Sequence, residues 1–355
     1  MCFGNEYLSL IASGPHQVRD SVKAEIRSHT GLRGIAAICV VGYHQQFAGT
    51  YKFPWEAIFR RSYLMVDLFF ILSGFVLSYV YSEKLNVRSF YRARFARIYP
   101  LHVFALLSFT ALVMGVNALN VASGHVPENV GSFADWLGQL LLLNAWIPEH
   151  FEWNKPSWSI SAEAFAYLLF PAVVAGMALG PRLASIAIVV GAGAFYAFVG
   201  SSLDVTVGLA PLRCLAGFGL GMVLFHYRET RLAALSVVQA AAIAWIIAVL
   251  LLPVSDVLVI PGFAALVFTT WKDEGIIARL LSCGPLHRLG ELSYSVYLMH
   301  FFAGGLVGQV WIHGVHRLGR TGVPSSTLAR PYPLALTTLP SNTTARPTPG
   351  YAARA

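Results

Sequence analysis

Long stretches of this chain carry almost no charge, and that constrains its fold more than any other feature. Apolar runs recur at 31–48, 63–81, 100–120, 159–180, 183–200, 206–226, 232–252, 254–271 and 289–312. A helix needs about 20 such residues to cross the hydrocarbon core of a bilayer. Only 12% of the residues are charged and 56% are hydrophobic, against roughly 25% charged in an ordinary soluble domain. The reading is an all-α membrane protein, a polytopic bundle of about nine to ten transmembrane helices, over residues 31–312. The +8 net charge does not point to nucleic acid, because the cations gather in short loops between apolar runs, as cytoplasmic loops do.

The charges also set the direction of the chain. Lys23, Arg27 and Arg33 precede the first run and place its start in the cytoplasm, with 1–30 as a cytoplasmic N-terminal segment. The most basic loop, with Lys84, Arg88, Arg92, Arg94 and Arg97, follows the second run and falls inside; the third span then starts after Pro100. The run 136–146 is too short to cross and reads as an interfacial or re-entrant segment. With 121–157 kept outside, the later basic loops at Arg182, 226–231 and 272–288 also fall inside. Residues 313–355 are rich in Pro, Thr, Ser, Ala and Arg and have no Asp or Glu beyond 314, and read as a low-complexity, disordered tail. Residues 1–28 contain Glu6, Asp20, Lys23, Glu25 and Arg27 and do not form a cleavable leader. Cys2, Cys39, Cys214 and Cys283 are scattered, without the spacing of a disulfide framework or a metal site.

Polar residues inside apolar runs are costly in lipid and point to function. Arg33 opens the first run and His44 lies deep within it, about 16 Å further along a helix axis. On this topology His44, Asp67, Glu163 and His300 share the outer half of the membrane, while Arg33, Arg88, Arg92, Arg94 and Arg97 gather at the cytoplasmic face. A histidine beside a carboxylate makes a general base, because the carboxylate orients the imidazole and stabilises the imidazolium. Clustered guanidiniums suit phosphate. The competing readings are helix packing for His44, an interhelical salt bridge for Asp67 or Glu163, and anionic lipid contact for the arginines.

Five segments carry a family resemblance: Leu32-Arg33-Gly34-Ile35-Ala36-Ala37 with His44; 66–75, containing Asp67 and Ser73-Gly74-Phe75; Arg94-Phe95-Ala96-Arg97-Ile98-Tyr99-Pro100; Trp158-Ser159-Ile160-Ser161-Ala162-Glu163; and 289–300, ending in Tyr297-Leu298-Met299-His300. In this order the chain resembles the acyltransferase 3 family of bacterial membrane acyltransferases, which O-acylate cell-surface polysaccharides and other acceptors. The resemblance implies about ten helices in the cytoplasmic (inner) membrane. It implies no bound cofactor, an acyl-CoA donor on the cytoplasmic side, usually acetyl-CoA, and a saccharide or lipid-linked saccharide acceptor. His44 matches the catalytic histidine and Arg33 its supporting, donor-contacting arginine. Arg94 and Arg97 match the basic loop motif, and Glu163 its acidic position.

Family members usually return to the cytoplasm with one more helix after the segment ending near His300, which 321–355 cannot form. The expectation is a stand-alone O-acyltransferase. His44 acts as base, assisted by Glu163 or Asp67, and Arg33, Arg94 and Arg97 hold the donor phosphates. The alternatives are a transporter of an acyl group, lipid-linked sugar or proton, and an inactive remnant.

Overall fold

The computed structural model describes residues 24–46, 56–122, 124, 131–147 and 153–317. Among them there are helices and turns and no strand. The helices are α1 (Arg27–Gln46), α2 (Glu56–Phe59), α3 (Met65–Tyr81), α4 (Val87–Ala122), α5 (Phe133–Leu140), α6 (Ser157–Leu179), α7 (Pro181–Val199), α8 (Ala210–His226), α9 (Leu235–Leu251), α10 (Val259–Thr270), α11 (Ile276–Leu281) and α12 (Gly284–Arg317). Four are long and apolar enough to cross a membrane: Ser62–Tyr81 (α3 with the 3-10 turn before it), α4, α6 and α7. Ala210–His226, Leu235–Leu251 and Asp256–Thr270 are shorter apolar helices. The outward faces carry large apolar side chains, as on α7, where Leu183, Ile186, Val190 and Phe198 are exposed. An apolar exterior is the surface that lipid requires.

Two close helix pairs organise the bundle, α1 against α12 and α3 against α8. Small residues let helix backbones approach in a membrane. A Cβ added at Gly290 would lie 1.9 Å from the Thr30 carbonyl oxygen, and one at Gly74 would lie 1.9 Å from the Phe218 carbonyl oxygen. Neither position has room for any other residue. The start of α1 is held by Asp273, whose carboxylate accepts from the Ser28 N–H at 2.7 Å and the Arg27 N–H at 3.2 Å. The first N–H groups of a helix lack intrahelical partners, and a carboxylate there also complements the helix dipole.

α4 corrects the expected loop. It is one helix of 36 residues with Pro100 inside it. Arg88, Arg92, Arg94 and Arg97 lie on its opening turns and not in a connection ahead of a span. Proline removes its own N–H bond and crowds one carbonyl of the preceding turn, which bends or weakens a helix without having to end it. Arg94 and Arg97 are thereby carried about 10 and 15 Å along the helix axis from Val87. The short run after residue 132 is α5 followed by turns, docked against α6 where the Ala145 N–H donates to Ser161 Oγ at 3.2 Å. α12 runs to Arg317, so its last turn overlaps the expected tail. The rest of that tail, and the N-terminal segment to residue 23, lie outside the described residues.

Candidate active site

Two polar centres lie one above the other in the bundle. The first is a cavity of about 120 Å³. Its cations are Arg33 from α1 and Arg94 and Arg97 from α4; its carboxylate is Glu163 from α6; Phe69, Ser73, Ser159, Tyr167, Tyr294 and Tyr297 also line it. Glu163 Oε1 accepts from Ser73 Oγ at 2.5 Å and from Tyr167 Oη at 2.7 Å. Two donors on one oxygen fix the carboxylate and leave its charge facing the arginines. Aromatic rings bound the guanidiniums, with Arg94 over the Tyr81 and Tyr167 rings and Arg97 over Tyr294. Planar delocalised cations stack in this way. The Arg94 Nε is buried without a hydrogen-bond partner.

The expected place of Glu163 needs correction. Arg33 is half-buried and lines the cavity. Glu163 shares the arginine cavity and is not beside His44. Counting turns inward from an assumed membrane surface set Glu163 apart from the arginines, but the extension of α4 through Pro100 brings Arg94 and Arg97 to the level that Glu163 reaches on α6.

The second centre is a histidine pair. His44 Nδ1 and His300 Nε2 are 3.0 Å apart, and the rings stack with centroids 5.0 Å apart and planes inclined by 30°. The Phe301 ring lies 4.9 Å from both imidazoles, and the Tyr43 ring 5.0 Å from His44. The centres meet at Tyr297. Its ring lines the cavity, and its centroid is 6.2 Å from that of His300, one turn along α12. Its hydroxyl is 2.7 Å from Ser159 Oγ. Tyr297, Ser159 and the Phe69 ring packed edge-on against Tyr297 therefore stand at the end of the cavity nearest the histidines.

Asp67 belongs to neither centre. Its two oxygens accept from Arg213 Nε at 3.0 Å and Nη2 at 2.6 Å, and both side chains are buried, at 0% and 1% exposure. Arg213 also lies over the Trp158 ring and donates to the Val205 carbonyl at 3.2 Å. The pair clamps α3, α8 and α6 together. This is the interhelical salt bridge that stood as the competing reading of Asp67, and with both oxygens engaged by Arg213 the carboxylate does not orient His44. Sequence reasoning gave no role to Arg213, although a lone cation within an apolar run is itself a sign that an opposite charge awaits it. It put His300 at the depth of His44 without assigning the two to each other.

Comparison with known proteins adds the family. The family described as "Acyltransferase domain" matches residues 27–338. Acyltransferase MdmB of Streptomyces mycarofaciens is 39% identical over 153 residues, 41% of this chain and 38% of that protein. Protein 2 in the picA locus of Rhizobium radiobacter is 47% identical over 87 residues, 23% of this chain and 42% of that protein. Exopolysaccharide production protein ExoZ of Rhizobium meliloti is 29% identical over 259 residues, 69% of this chain and 77% of that protein. The chain thus spans about two fifths of the length of the first two relatives. No solved structure matches. With an all-helical bundle, the five motif segments in order and a family match across most of its length, this chain belongs to the acyltransferase 3 family.

Proposed function

We propose that the protein is an integral-membrane O-acyltransferase that moves an acyl group from cytoplasmic acyl-CoA to a hydroxyl of a cell-surface or exported saccharide. The observation that carries this reading is the alignment of the two centres along shared helices. α1 bears Arg33 in the cationic cavity and His44 in the histidine pair. α12 bears Tyr294 and Tyr297 in the cavity and His300 in the pair. Arg33, Arg94 and Arg97 hold the phosphorylated end of the donor, since guanidinium binds phosphate in a fork. The cavity is small, so it takes one part of the donor while the rest extends beyond it. The thioester passes Tyr297 to reach His44.

His44 takes the proton from the acceptor hydroxyl. The oxygen attacks the thioester carbonyl, the carbon–sulfur bond breaks, and the departing thiolate of CoA takes the proton from the imidazolium. Positioned proton transfer of this kind contributes about 10²–10⁴-fold. Glu163 acts in the cavity, where its charge offsets the repulsion among the guanidiniums and orients them. An acetyl group is favoured by the name of the O-acetyltransferase OatA of Staphylococcus aureus, 23% identical over 348 residues, 80% of this chain and 51% of that protein. A saccharide acceptor is favoured by the name of the Rhizobium meliloti relative, and membrane lipids surround the bundle.

The test is mass spectrometry of surface glycans from a deletion strain complemented with the wild type or with His44→Ala. The wild type restores the mass of one acyl group, and His44→Ala at normal protein level does not. Full acylation by His44→Ala would reject the base. Uptake of a solute without release of CoA would favour transport.

A further inference from the structure

The contact between the two histidines has a direction, and a carbonyl beside it sets that direction. His300 Nδ1 lies 2.6 Å from the Tyr297 carbonyl oxygen. A carbonyl can only accept, so this nitrogen carries a hydrogen. In a neutral imidazole the other nitrogen then has a lone pair. His300 Nε2 therefore accepts in its 3.0 Å contact with His44, and His44 Nδ1 donates. The pair sits among the Phe301 and Tyr43 rings, where a net charge on it would be costly. For two neutral rings this leaves one arrangement. The chain runs from the Tyr297 carbonyl through His300 to His44, and it ends on an unprotonated His44 Nε2.

We propose that His300 is a positioning residue that holds the hydrogen of His44 on Nδ1, so that Nε2 is the atom that takes the acceptor's proton. The proposal rests on the reading of His44 as base. It gives His300 the place that a carboxylate was expected to fill, because a base needs a third group to set its tautomer and ring orientation. In the transfer step the acceptor O–H bond breaks as the Nε2–H bond forms. His300 Nε2 goes on accepting from Nδ1–H of the imidazolium, and the Nε2 proton then leaves with the CoA thiolate. His300 exchanges no proton with either substrate.

The experiment is nitrogen NMR of the purified full-length protein in lipid nanodiscs, with ¹⁵N-labelled histidine and His44 identified by the signal lost in His44→Gln. The expected result is a His44 ring with hydrogen on Nδ1 and none on Nε2. His300→Phe, which keeps a ring and removes the acceptor, should give a mixture of tautomers; His300→Gln, whose side-chain oxygen can accept from Nδ1, should retain the wild-type form. With acetyl-CoA and membrane vesicles holding the natural acceptor, His300→Phe should lower kcat by about 10²-fold with KM for acetyl-CoA unchanged, and His300→Gln should recover most of the loss. Hydrogen on Nε2 of His44 in the wild type would overturn the proposal, and it decides the matter even if His300→Phe does not fold. An unchanged kcat in His300→Phe would overturn it as well. His44→Ala separates the two readings: if it abolishes transfer while His300→Phe is normal, only the role of His300 fails; if it keeps full transfer, the base itself fails.

Discussion

Asp67 and Glu163 are both carboxylates inside apolar helices, and their surroundings give them different work. Asp67 has a guanidinium on both oxygens and neither group reaches water. Glu163 has two hydroxyl donors on one oxygen and lines a cavity with three arginines. Breaking a buried ion pair by removing one partner costs about 3–5 kcal/mol, because the other charge stays buried and unpaired. Asp67→Asn should therefore lower the thermal unfolding temperature in detergent markedly. Asp67→Leu combined with Arg213→Met should recover much of the loss, since a buried pair replaced by apolar residues is often neutral. Normal stability in Asp67→Asn would mean that the clamp does not brace the bundle.

The element that brings the histidines together is the seam between α1 and α12. Gly34 and Gly290 face each other across it, and a Cβ at Gly34 would lie 2.7 Å from the Gly290 nitrogen. Gly290→Ala pushes a methyl group into the backbone of α1 and must move one helix away from the other. Overpacking of this kind costs about 1–3 kcal/mol. The variant should unfold at lower temperature and transfer more slowly, as the 3.0 Å contact opens. Gly191→Ala on α7 is the control, because no atom lies within 4 Å of the added carbon; its melting temperature should not fall. Equal behaviour of the two variants would remove the seam as the positioning element. At this scale the sequence was legible only within each helix. The spacing of Arg33 and His44 followed from helical rise alone, because both sit on α1. The partner of His44 did not, because it depends on where a second helix crosses.

Across the whole molecule, the charge pattern predicts which end of each helix faces the cytoplasm. Cys283 is exposed at the basic end between α11 and α12, and Cys214 is buried in α8. In a Cys2→Ser, Cys39→Ser background, a membrane-impermeant maleimide should label Cys283 in inside-out vesicles and not in right-side-out ones, while Cys214 stays unlabelled in both. Labelling of Cys283 from the outside would invert the topology and turn the arginine cavity away from any cytoplasmic donor. What the sequence by itself determined is what depends on local period and transfer free energy: the all-α class, the approximate helical segments, the short run at 136–146, and the motif residues that mark the family. Tertiary structure alone decided the pairings. Arg213 claimed Asp67, Glu163 joined the arginines, and His300 met His44. Buried charges and hydrogen-bonding groups are satisfied across helices by partners distant in the chain, and only the packing of one helix on another sets which groups come within about 3 Å of each other.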